Sequence, residues 1–332
     1  MVDLTTTYLT LQLRHPFVSG ASPLADQVAA ARRLEDGGAS AIVIRSLFEE
    51  QITMAQTGRI AQMDPSDAEF AKVLAAFPSA DRYVFGPDEY LEHVRRLKAA
   101  LEVPVIASLN GLATTSWIAF ARNIEQAGAD ALELNMYQLV ADPVRSSLAV
   151  ESDIRDMVAT LKRTLRIPLA VKLPIFLTAP AHFATELDRA GADGLILFNR
   201  VYQPLIDIDT ISLLPELELS TSAELLPRLA WLPILRGRVK GSLAVTGGVH
   251  TPDDGIRAIL AGADAVQMVS SIMRHGPEHF AVMSDGLGRW LESKGFHSVS
   301  EARGRIGRPP AANAELVARA SYLQTLQNGL RK

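Results

Sequence analysis

Residues 244–271 read AVTGGVHTPDDGIRAILAGADAVQMVSS. An apolar run closes at Thr246, Gly247-Gly248 turns the chain, and residues 252–260 carry a helical pattern. The small-residue joint Gly262-Ala263-Asp264-Ala265 then leads into a second apolar run, 265–268. Strand, turn, helix and strand in so short a span form a parallel βαβ unit. The joint recurs as Gly38-Ala39-Ser40-Ala41, Gly128-Ala129-Asp130-Ala131 and Gly191-Ala192-Asp193-Gly194. A glycine there can adopt the left-handed conformation that ends a helix, and small neighbours let the chain turn into the next strand.

Outward from that unit, apolar runs at 17–19, 41–45, 104–109, 131–135, 169–173, 194–198, 242–246 and 265–268 predict eight strands. Amphipathic stretches at 25–35, 87–100, 115–126, 153–166, 179–189, 223–231 and 252–260 separate them. Near-continuous apolar strands covered by helices predict an α/β fold, a closed (β/α)8 TIM barrel with long βα loops and a C-terminal extension. The barrel is expected over 1–304 and a helical tail over 305–332, with its helix near 313–327. Segment 46–86, which contains Glu49, Glu50, Met54, Arg59 and Phe77, and segment 199–222 are long βα loops. Both are expected on the face where barrel active sites lie.

Composition narrows the function. The formal net charge of −4 is not gathered into blocks, so neither nucleic acid nor a membrane surface is expected as partner. There is no cysteine, which excludes disulfides, thiolate metal sites and cysteine-held iron–sulfur clusters within the chain. The seven histidines show no metal-ligand spacing. With no signal peptide and no long apolar run, a cytoplasmic location is expected.

Polar residues at the C-terminal ends of barrel strands are the candidates for chemistry. They are Arg45 and Ser46, Asn110, Asn135, Lys172, Asn199, the Gly247-Gly248 pair, and Ser270-Ser271. Adjacent glycines allow backbone N–H groups to approach a phosphate, and the following helix is expected to add its N-terminal partial charge. Lys172 lies inside an apolar strand, where an ammonium must meet a negative group or a polar site. Asparagines at 135 and 199 offer a donor and an acceptor each, as a heterocycle edge requires.

HPFVSGAS, AIVIRS, ASLNG, ALELN, PLAVKLP, LILFN, residues 244–271 and GFHSVSEARGRI resemble the dihydroorotate dehydrogenase family, chiefly its soluble class 1 members, over roughly residues 3–304. The resemblance implies an FMN-binding barrel of pyrimidine biosynthesis. Gly20, Ala21 and Ser22 would lie beside the flavin, with Arg45, Ser46, Asn110, Asn135 and Asn199 further round. Lys172 would sit at the flavin N1/O2 side, and Gly247, Gly248, Ser270 and Ser271 at its phosphate. It also implies a homodimer, and an electron-transfer partner protein supplying any iron–sulfur relay.

Departures fall on the substrate side. Where the family carries a Cys or Ser base after the strand-four asparagine, this chain has Gln138, and Val140 stands where a substrate-binding asparagine is usual. An amide is no general base near neutral pH. Arg45 replaces a usual lysine and Arg200 a usual serine, which suggests an anionic small-molecule substrate held by Arg45 and Arg200 with Asn135 and Asn199. Tyr137 and Tyr83 are candidate proton donors. The family's glycine pair is missing near 217–221. The resemblance, with these departures, therefore implies a flavin-dependent oxidoreductase acting on CH–CH groups, with little or no dihydroorotate oxidation. An inactive flavin-binding homologue and a flavin-free isomerase or lyase of phosphorylated molecules remain open alternatives.

Overall fold

The structure, a computed structural model, describes residues 2–57, 84–111, 115–200, 205–214, 218–307 and 314–329. Eight parallel strands close a barrel: β3 (Phe17–Ser22), β4 (Ile42–Phe48), β5 (Val105–Asn110), β6 (Ala131–Asn135), β7 (Leu169–Lys172), β8 (Gly194–Leu197), β11 (Ser242–Thr246) and β12 (Ala265–Met268). The expected TIM barrel is the observed one, and its strands fall where the apolar runs lie.

Around the barrel run α1 (Val28–Asp36), α2 (Glu49–Thr57), α3 (Pro87–Ala100), α4 (Thr115–Gln126), α5 (Ser147–Thr164), α6 (Pro180–Arg189), α7 (Leu226–Leu235) and α8 (Pro252–Ala261). Then come α9 (Ser270–His275), α10 (His279–Ser293), α11 (Val299–Ala302) and α12 (Ala314–Gly329). Among the described residues, no helix is long and apolar enough to cross a membrane.

The repeated joint has a structural reason beyond its glycine. Gly38, Gly128, Gly191 and Gly262 have φ of 110°, 97°, 103° and 121°, which side-chain-bearing residues rarely adopt. The aspartates two residues on tie the strands together. Asp130 accepts the N–H of Val105 at 2.7 Å, Asp193 that of Leu169 at 2.7 Å, and Asp264 that of Leu243 at 2.8 Å. Each also pairs with a cation at the end of an earlier helix: Lys98 at 2.6 Å, Lys162 at 2.5 Å and Arg236 at 2.9 Å. Ser40 does the same work without charge, its hydroxyl donating to the Phe17 carbonyl at 2.6 Å. The barrel is thus four strand pairs, each clamped at its entrance.

Two elements go beyond the sequence expectation. An N-terminal hairpin, β1 (Thr6–Tyr8) and β2 (Leu11–Leu13), plugs the bottom of the barrel. Tyr8, Leu9 and Leu13 pack with Val18, Val43, Ile106, Ile196 and the alanines at 41, 131, 170, 244 and 265. A Cβ on Gly194 would stand 2.5 Å from Leu9 Cδ2, so the plug needs that glycine. The second is a hairpin of β9 (Leu205–Asp207) and β10 (Ser212–Leu214) within the 199–222 segment.

Segment 46–86 does contain a helix, α2, but Arg59, Phe77 and Tyr83 lie outside the described residues. The tail helix α12 is exposed along its described length.

Candidate functional site

Inward-facing residues change character along the strands. Ala131 is followed two residues on by Glu133 and then Asn135; Ala170 by Lys172; Ile106 by Ser108 and Asn110; Ala265 by Gln267. Side chains two apart share a face, so the lumen is apolar over the plug and polar toward the strand C-termini. The Lys172 ammonium pairs with the Glu133 carboxylate, and Gln267 donates to the other Glu133 oxygen at 2.6 Å. β6 and β12 are not neighbours in the barrel, so the Gln267–Glu133 bond crosses the lumen. All three residues are buried, and a buried cation survives there because an anion faces it.

In and above this layer several polar atoms are buried without a hydrogen-bond partner among the described residues, among them Asn135 Oδ1, Asn199 Nδ2, Gln267 Oε1 and Ser271 Oγ. Buried polar atoms are normally satisfied, so orphans grouped at one strand end mark a ligand position. Ser46 and Ser108 share a hydrogen bond of 2.7 Å, and Asn135 Nδ2 reaches Ser46 at 3.5 Å. Tyr90, from α3, steadies this edge by bonding both the N–H and the carbonyl of Ser108 at 2.9 Å. Asn110 lies in register beside Asn135, and Asn135 beside Lys172.

Gly247 and Gly248 take φ of 83° and 81° at the end of β11. A Cβ on Gly248 would lie 2.2 Å from the Leu225 nitrogen, so the approach of those two backbones requires glycine. A cavity here is lined by Ser22, Lys172, Asn199, Gly248, Gln267 and Ser270. On its far wall Gly20 leaves no room for a side chain, since a Cβ would stand 2.9 Å from Val269 Cγ2. Ala21 lines the same cavity.

One expectation about this turn needs correction. The N-terminus of α8 is not open to an anion: Thr251 and Asp254 form a capping box, and Asp254 also accepts from His250 at 3.1 Å and Ser222 at 2.7 Å. Its partial charge is already met by carboxylates. What remains for a phosphate is the glycine turn with Ser270, Ser271 and Ser220.

Ser220 escaped the sequence reading, which registered only a missing glycine pair nearby. Its hydroxyl meets Gly248 N–H at 3.4 Å and His250 Nε2 at 3.1 Å, and its own N–H meets Ser270 at 3.1 Å. Burial holds the His250 pKa below its ordinary value, aided by nearby Arg274. Arg228 was also missed. Buried under the turn, it donates to the Thr246 carbonyl at 2.8 Å and braces the ends of β8 and β11.

The two arginines expected to clamp an anion are otherwise engaged. Arg45 makes a two-pronged pair with Asp26, at 3.1 and 2.6 Å, away from the cavities around Lys172. Arg200 does line the site, but Glu224 neutralises it at 3.2 Å and it also donates to the Glu218 carbonyl. Gln138 is half-buried on the turn after β6, beside Tyr137.

The sequence profile of the dihydroorotate dehydrogenase family matches residues 3–291. The catalytic subunit of dihydroorotate dehydrogenase B (NAD(+)) from Methanothermobacter thermautotrophicus is 25% identical over 316 residues, 91% of this chain and 97% of that protein. Dihydroorotate dehydrogenase A (fumarate) from Lactobacillus delbrueckii subsp. bulgaricus is 26% identical over 315 residues, 92% and 99% of the two chains. The NAD-dependent dihydropyrimidine dehydrogenase subunit PreA of Escherichia coli K12 is 25% identical over 322 residues, 91% of this chain and 76% of that one.

Proposed function

This chain belongs to the dihydroorotate dehydrogenase family, and on that premise we propose that it is an FMN-dependent oxidoreductase acting on a CH–CH bond of a substrate other than dihydroorotate. The observation that carries the reading is the set of orphaned atoms, Asn135 Oδ1, Asn199 Nδ2, Gln267 Oε1 and Ser271 Oγ, around a buried ammonium and a glycine turn. Donor, acceptor and cation suit an isoalloxazine edge, and the turn with its serines suits a phosphate. Lys172, Asn135, Asn199, Ser46 and Asn110 would hold the ring, with Gly20, Ala21 and Ser22 along its side. Gly247, Gly248, Ser220, Ser270 and Ser271 would hold the tail.

Bound FMN would supply a hydride acceptor, a chemistry that side chains do not provide. Lys172, held by Glu133, would stabilise negative charge at the ring edge. The strand ends would orient the ring, and the turn after β6 lines the cavity beside it. Proton removal is where the chain parts from its relatives. Gln138 cannot accept a proton, and a positioned base is worth about 10²–10⁴ in rate. The relatives' names point to dihydroorotate and dihydropyrimidine; this chain's residues favour a substrate needing no base at position 138. Two of those names denote subunits, which supports an electron-transfer partner here.

The test is a visible absorbance scan of the purified protein, followed by FMN titration of the apoprotein. Flavin bands, and tight binding weakened by Lys172→Ala, are expected. A colourless protein that does not take up FMN overturns the reading.

A further inference from the structure

A second cavity, of about 510 Å³, opens beside the Lys172 site and shares Asn199 and Arg200 with it. It lies between the turn after β6, the first turns of α5, the turn after β7 and the β9–β10 hairpin. Its size falls within the ~300–1,000 Å³ range of small-molecule sites. Met136, Val150, Ile154, Leu177 and Leu213 make its wall mostly apolar.

The charges around it are decisive. Arg145 pairs with Asp153 at 2.6 Å, and Arg200 pairs with Glu224 at 3.2 Å. Glu151, on the same wall, makes no ion pair with a described residue. Among the described residues, two neutralised cations and one unpaired carboxylate leave the cavity net negative. A carboxylate ligand would lose its water here and meet no free cation among the described residues, which is a cost without return. An apolar body would gain by leaving water, and an amine or hydroxyl end would find Glu151 or the Gln138 amide.

We infer that this cavity is the substrate compartment of the site, and that it takes a largely apolar molecule with an uncharged or amine-bearing end and no carboxylate. The inference rests on the flavin reading above, since the shared Asn199 and Arg200 are what join the compartment to the ring. It replaces the anionic substrate suggested by Arg45 and Arg200, whose charges the fold has already compensated.

Three probes with one ring system separate the possibilities: 2-naphthalenemethanol, 2-naphthalenemethylamine and 2-naphthoate. Each is titrated into FMN-loaded protein, read by the shift of the flavin's visible bands and by the probe's own fluorescence. The alcohol and the amine are expected to bind, and the carboxylate at least about tenfold more weakly. Val150→Trp and Leu177→Trp fill the cavity and should abolish probe binding while FMN affinity stays unchanged. Glu151→Gln should weaken the amine several-fold and leave the alcohol alone; if the tryptophan variants do not fold, this charge comparison decides. Equal or tighter binding of the carboxylate, or an amine indifferent to Glu151→Gln, overturns the inference. Loss of FMN binding would instead sink the flavin reading and the compartment's role with it. FMN bound with no probe-induced shift sinks the compartment alone.

Discussion

The ammonium of Lys172 and the carboxylate of Glu133 are paired inside the barrel, on adjacent strands and almost wholly screened from solvent. Removing one partner of such a pair leaves an unpaired buried charge and costs about 3–5 kcal/mol. Lys172→Met is therefore expected to lower stability by that amount, and adding Glu133→Gln to recover most of it. Urea denaturation of the apoproteins checks this. The double variant should regain stability but not FMN affinity, a separation that a purely structural role for Lys172 would not show.

Gly248→Ala places a Cβ within 2.2 Å of a backbone nitrogen at a φ of 81°. Left-handed strain alone costs about 1–2 kcal/mol, and the backbone contact forces the turn to move. A loss of at least about tenfold in FMN affinity is expected by fluorescence titration. At Gly247 a Cβ meets only the Arg228 guanidinium, at 3.0 Å, so Gly247→Ala should disturb the turn less. Equal effects at the two positions would contradict this account.

Dihydroorotate should not bleach the bound flavin under anaerobic mixing, and Gln138→Ser should not change that. By the family resemblance a base is expected at position 138 and a substrate-binding asparagine at 140, where this chain has Gln138 and Val140, and Arg45 and Arg200 are tied to Asp26 and Glu224. Rapid bleaching by the unaltered protein would show that another group takes the proton.

His15 is buried between the Phe17 N–H, which donates to Nδ1 at 3.2 Å, and the Gly38 carbonyl, 2.8 Å from Nε2. Burial lowers its pKa from 6.5 to about 4. The unfolded chain therefore binds the proton first as pH falls. The stability contributed by neutral His15 is complete above pH 6.5 and declines between there and about 4. A loss of about 2–3 kcal/mol by pH 4.5 is expected in denaturation curves. His15→Gln should flatten that slope.

Much of the site was legible strand by strand. A lysine within AVKLP, asparagines closing ALELN and LILFN, and a glycine pair after SLAVT each stand out against an apolar run, and each sits at the strand end where the fold delivers it. Glu133 could have been found by the same rule, as the one charge inside ALELN, but its meaning depends on Lys172 standing beside it. Ser220 and Arg228 had no such signal. Ser220 lies in the long segment after β8 and Arg228 is one charge on a predicted helix, and both reach the glycine turn from elsewhere in the chain.

What the sequence determined by itself was the repeated unit. Alternating apolar runs and helices, with a small-residue joint at four entrances, require a closed parallel barrel, because local periodicity and turn chemistry act over a few residues. What only the tertiary structure decided was which charges remain available. Arg45 and Arg200 read as free cations along the chain, yet each finds a carboxylate in space. Electrostatic pairing depends on through-space distance, and that distance exists only once the barrel has closed.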